Sequence, residues 1–136
     1  MIRMTLRHMA LAGAALTVLA GPVAAVVNPA SGAERVDLAY YDAVTRTGMD
    51  QLATDPYCAS PEMLAIDLGE VYGEDIVATH ARDDGRSFDL WASPEMGTWT
   101  VSYTRPDGVA CVIGSGTDWD AGDSATERLV QVGLRP

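Results

Sequence analysis

The sequence predicts an α+β fold: one helix packed on a four-stranded antiparallel meander, stapled by a disulfide, with a further helix ahead of that unit. Three observations carry this. Residues 86–116, RSFDLWASPEMGTWTVSYTRPDGVACVIGSG, alternate apolar and polar residues around two turns that begin with Pro and end with Gly. Residues 60–73 carry a helix start signal, helical apolar spacing and a stop signal. The chain's two cysteines, Cys58 and Cys111, lie one before the helix and one in the last strand.

The chain opens on what reads as a secretory signal. Arg3 and Arg7 form a positive n-region, Met9 to Ala20 a short apolar run, and Val23-Ala24-Ala25 a small-residue cleavage site after Ala25. The run is short for a bilayer span, and no cysteine near the cleavage point supports a lipid anchor. Residues 1–25 are therefore expected to leave, and the mature chain is expected in the periplasm or outside the cell.

Cleavage leaves 111 residues, one small domain with tails. All nineteen acids and seven of the nine Arg lie in this part, for a formal charge of −12, and there is no Lys anywhere. Such a surface repels nucleic acid and anionic lipid, so neither nucleic acid nor a membrane is expected as partner of the mature chain. The lack of Lys excludes lysine nucleophiles and Schiff bases. Cys58 and Cys111 both survive cleavage, and in an exported chain this small they are expected to pair as a buried structural disulfide.

Residues 26–55 read as a leader. Within it Val36, Tyr40 and Val44 recur at i+4, with Glu34 and Asp37 suited to a helix N-terminus and Gly48 to its end, giving a helix over 34–46. The α+β domain proper spans 56–119. Its helix is capped by Ser60, with Pro61 in the first helical position and Gly73 placed for a left-handed C-terminal cap. Leu64, Leu68, Val71 and Tyr72 give it one apolar face. The Cys58–Cys111 bond would then pin the start of the helix to the sheet.

The first strand, over 75–81, has two registers. A three-residue loop at Asp83-Asp84-Gly85 puts Ile76, Ala78 and His80 on the core face, and a two-residue loop puts Val77, Thr79 and Ala81 there. The next three strands are fixed by their turns. The loop at Pro94-Glu95-Met96-Gly97 sets Phe88, Leu90 and Ala92 opposite Tyr103, Val101 and Trp99. Arg105-Pro106-Asp107-Gly108 sets Arg105 opposite Val109, hence Tyr103 opposite Cys111 and Val101 opposite Ile113. These apolar residues share the expected core face. The other face, with Asp89, Trp91, Thr100, Ser102, Thr104 and Val112, reads as wet. Residues 120–136 read as a mostly irregular acidic tail, with a short helix at most over 124–131.

Cys58, Pro61, Leu64, Leu68 and Tyr72-Gly73-Glu74, followed by Gly97-Thr98-Trp99-Thr100, Arg105-Pro106-Asp107-Gly108, Cys111 and Ser115-Gly116, form a pattern over residues 58–119. It resembles small exported proteins of alphaproteobacteria to which no activity is assigned. The resemblance implies a fold unit and an export route, not a reaction. Members of that set carry apolar residues at the positions of Thr79 and Ala81 and a small residue at that of His80. This implies the two-residue loop and an outward His80.

In that register His80 faces Asp89 and Asp89 faces Ser102, a His–Asp–Ser row with neighbours about 5 Å apart. The order is wrong for a nucleophilic relay, which needs His between Ser and the carboxylate. A small hydrolase using His80 is thus an alternative, and a solvated polar row the main expectation. Asp118, Asp120 and Asp123 are spaced like part of a calcium loop, but the glycine and terminal Glu of such a loop are out of place. No metal, catalytic residue or cofactor is assigned. Trp91 on the wet face beside Thr100 reads either as a binding surface or as a residue partly covered by the helix over 34–46. The function expected is a non-catalytic binding or interaction module with a protein partner in the cell envelope. Trp91, Thr100, Ser102, His80 and Asp89 are its contact residues. An acidic inhibitor of a basic hydrolase such as lysozyme is one concrete form of it.

Overall fold

Two Pro–Gly turns set the register of the sheet. The computed structural model describes residues 35–134; the expected signal and the first residues of the leader lie outside them. The elements in order are α1 (Leu38–Asp42), β1 (Cys58–Ala59), α2 (Pro61–Tyr72), β2 (Asp75–Ala81), β3 (Ser87–Ser93), β4 (Thr98–Thr104), β5 (Ala110–Gly116) and α3 (Ala125–Gln131), with a 3-10 turn at Gly48–Asp50. The five strands form one antiparallel sheet in the order β1-β5-β4-β3-β2.

Across the Pro94 loop, Ala92 lies opposite Trp99, Leu90 opposite Val101 and Phe88 opposite Tyr103, as the turn requires. Across the Pro106 turn the Arg105 amide donates to Val109 O at 2.8 Å, and Tyr103 lies opposite Cys111. Beyond that a bulge shifts the ladder, so Val101 faces Gly114 and not Ile113. Between β2 and β3 the loop has three residues. The Arg82 amide donates to Arg86 O, and His80 lies opposite Phe88 and Ala78 opposite Leu90. The two-residue loop implied by the resemblance is corrected. A second bulge between Ile76 and Ala78 then turns Ile76 to lie opposite Trp91, on the other face.

The α+β class holds, with five strands where four were expected. The fifth, β1, is two residues long and too short for any alternation to show. It places Cys58 directly opposite Cys111, and the two are disulfide-bonded and fully buried. Ser60 follows at once as the N-cap of α2, its Oγ accepting from the Met63 amide at 3.2 Å. The bond therefore fixes the start of α2 to an edge of the sheet. At the other end Gly73 is left-handed (φ 61°), with its amide on Gly69 O and that of Glu74 on Leu68 O.

The sheet is covered on both faces. One face, with Phe88, Leu90, Ala92, Trp99, Val101 and Tyr103, packs against Trp119, Leu129 and Leu134 and against the flanks of Val36, Leu38 and Tyr41. α3 falls within 124–131, the span of the expected short helix, and the tail around it, expected to be irregular, supplies part of the core. The helix expected over 34–46 is the short α1, on this same face. Asp42 and Arg86 hold it there: Arg86 Nε donates to Tyr103 OH at 2.9 Å, and Tyr103 OH donates to Asp42 Oδ1 at 2.8 Å. The opposite face, expected to be wet, is where α2 lies, with Leu64 and Leu68 packed on Trp91, Ala110 and Val112.

Candidate functional site

α2 buries only part of its apolar face. Leu64 and Leu68 are 1% and 5% exposed, but Val71 and Tyr72 are 64% and 47% exposed. They overhang a cleft of ≈ 530 Å³ between α2 and the strands β4 and β5. The strand side is made by Thr98, Trp99, Thr100, Val112, Ser115 and Gly116. On the opposite face of the sheet Gly116 leaves room for the Trp99 indole. A Cβ there would stand 2.6 Å from Trp99 Nε1, so any other residue would push the indole away. Nε1 donates to Asp118 Oδ1 at 2.8 Å, which fixes the ring.

At the solvent-facing side of the lining, Tyr57 OH donates to the Asp67 carboxylate. That hydrogen bond, with some burial and the Asp67 charge, pushes the Tyr57 phenol up to about 12. The bond to Asp67 thus favours the neutral, donating form of Tyr57. Its own carbonyl accepts from the Val112 amide at 2.8 Å, extending the β1–β5 ladder. Glu74 and Thr98 line the cleft too, and they are different. Glu74 is 2% exposed, and both its Oε2 and Thr98 Oγ1 are buried without a hydrogen-bond partner. Leaving such an acceptor unpaired costs about 1–3 kcal/mol, so the fold holds these two oxygens against a stability cost.

The residues singled out in the sequence fall elsewhere. Trp91, Thr100 and Ser102 are 7%, 5% and 1% exposed, because α2 covers them; of the three, only Thr100 lines the cleft. Trp91 Nε1 donates to Ser102 Oγ at 2.9 Å, a polar contact inside a face that reads as wet only while its partners are unknown. The cover comes from α2, not from α1. Asp89 accepts from Thr79 Oγ1 at 2.6 Å. His80, opposite Phe88, projects to the other side of the sheet, so no His–Asp–Ser row forms.

Asp118 and Asp123 meet Arg128 instead of forming a cation loop, at 2.9 and 2.5 Å. The Arg128 guanidinium also lies over the rings of Trp99 and Trp119, 5.3 and 5.9 Å from their centroids. The Trp99 donor and then Arg128 hold the Asp118 carboxyl below the usual carboxylate range, and Arg128 does the same for Asp123. Among the described residues no group of three or more His, Cys, Asp or Glu is placed to hold a metal ion.

Sequence reasoning missed Glu74 as a site residue, although one signal pointed to it. It follows a left-handed Gly cap and precedes a strand, so it sits at a junction of two packed elements, where side chains are buried. In comparisons with protein-family models, curated proteins and solved structures, nothing matches the chain. Among the described residues no helix is long and apolar enough to cross a membrane, and the disulfide suits an oxidising compartment.

Proposed function

We infer that the chain is an exported, non-catalytic binding module whose site is the cleft beneath α2. The observation that carries this is the unburied half of the α2 apolar face. Val71 and Tyr72 continue the stripe of Leu64 and Leu68, yet overhang ≈ 530 Å³ of open cleft and not a core. A largely apolar concavity with a few polar groups is what a small-molecule site looks like. The resemblance to exported alphaproteobacterial proteins supports export, and the −12 formal charge expected of residues 26–136 supports a basic or cationic partner. The hydrolase reading through His80 has no support from the geometry, since His80 and the cleft lie on opposite faces of the sheet.

The test is an amide chemical-shift map of the oxidised protein against a library of small organic fragments. Saturable shifts confined to Leu64, Val71, Tyr72, Thr98 and Val112 are expected. Shifts scattered over the surface, or confined to the β2 edge, would remove the cleft from the account. An acidic inhibitor of a basic hydrolase is the form the function takes if the partner is a protein. The acidic surface favours it, and inhibition of a lysozyme by the purified protein is its direct assay.

A further inference from the structure

Glu74 narrows the chemistry of the ligand. It stands two residues past the end of α2, with Oε2 out of contact with both solvent and donors, and Thr98 Oγ1 in the same lining is in the same condition. A carboxylate with one oxygen kept out of water at the negative end of a helix calls for a cation more than for a neutral donor. A charge-assisted hydrogen bond is roughly twice as strong as a neutral one, and the helix carbonyls add to the negative potential. The lining supplies no such cation: it contains no Arg or His among the described residues, and the chain has no Lys. Asp67, the other carboxylate of the cleft, already accepts from Tyr57.

We propose that the cleft binds a small organic amine, its ammonium donating to Glu74 and Thr98 and its hydrocarbon body lying against Leu68, Val71 and Tyr72 of α2 and Val112 of β5. This rests on the reading of the cleft as the binding site. The occupant is a free small molecule and not a lysine of a partner protein. A cleft of ≈ 530 Å³ falls within the range of small-molecule sites, about 300–1,000 Å³, and a single butyl stem leaves most of it unfilled. Glu74 Oε2 has no contact with solvent, so a side chain of the lining must shift for the ammonium to reach it.

The experiment titrates the oxidised full-length protein with 2-phenylethylamine, 2-phenylethanol and 3-phenylpropionate, followed by the cleft amides. The amine is expected to bind at least about tenfold tighter than the alcohol, and the carboxylate weakest. Glu74→Gln, close in size and shape, should bring the amine down to the affinity of the alcohol while alcohol binding persists. Thr98→Val should weaken the amine more than the alcohol. Equal affinities of amine and alcohol in the unaltered protein would overturn the proposal and leave the cleft as a binding site. Tighter binding of Gly-Lys-Gly than of phenylethylamine would overturn it in favour of a protein partner. No cleft response to any of these probes would overturn both the proposal and the reading beneath it. The wild-type comparison decides the matter even if a variant fails to fold.

Discussion

Gly116 has no side chain, and Trp99 occupies the space. The indole lies where a Cβ would be 2.6 Å from Nε1, and from that position Nε1 reaches Asp118 at 2.8 Å. Gly116→Ala must move the ring or the strand. It should destabilise the protein by about 1–3 kcal/mol, the usual cost of overpacking, read as a lower urea midpoint at unchanged slope. An unchanged midpoint would mean that the ring can leave at no cost. Trp91 tests the buried face in the same way. On an open face Trp91→Ala would change stability by no more than about 0.5 kcal/mol. Under α2, with Nε1 donating to Ser102 Oγ at 2.9 Å, it should cost about 3–5 kcal/mol. The size of that loss separates a covered tryptophan from an exposed one without any structural method.

At the scale of elements, one guanidinium locks α3 beside the packing of Leu129 in the core. Arg128 pairs with Asp118 and Asp123 and stacks over Trp99 and Trp119. Both carboxyls have depressed folded-state values. The stability they contribute is therefore present above the unfolded carboxylate value of about 4 and is lost as pH falls through the lower folded values. Acidification below about pH 4 should loosen α3, seen as faster hydrogen exchange at Leu129 than at Val101, and Arg128→Ala should produce the same contrast at pH 7. Exchange that rises equally at both amides would show that α3 is no separate lock. α2 and the β3–β4 and β4–β5 turns were legible in the sequence because Ser60, Pro61, Gly73, Pro94 and Pro106 fix backbone geometry locally. The face that α2 covers was not legible, since both sheet faces offer apolar residues and Thr100 and Ser102 look wet until their buried setting is seen. The bulges near Ile113 and Val77 reverse sides without altering composition. The cleft was hidden for a related reason: periodicity assigned Val71 and Tyr72 to the helix's apolar face, and only the packing decides that the face runs past its support.

For the molecule as a whole, the disulfide joins the two halves of the site. Cys58 and Cys111 are 53 residues apart in sequence, a loop whose closure the chain-entropy model values at roughly 4 kcal/mol. β1 itself is only two residues long, and its register partners on β5 are Cys111 and Ala110. The bond is thus a covalent tie between the start of α2 and the sheet, beside the packing of Leu64 on Trp91 and Ala110, whereas the Phe88–Tyr103 face is held independently by α1, α3 and the long strands. Joint Cys58→Ser and Cys111→Ser substitution should lower stability by about 4 kcal/mol. Its effect should be uneven: exchange at Leu64 and Leu68 rises first, and shifts of Thr98 and Val112 on adding a ligand disappear while Val101 and Tyr103 stay protected. A uniform rise would make the sheet and α2 one cooperative unit. An uneven one would mean that the cleft exists only when the cysteines are oxidised, so that a chain retained in a reducing compartment is folded at its centre and unable to bind.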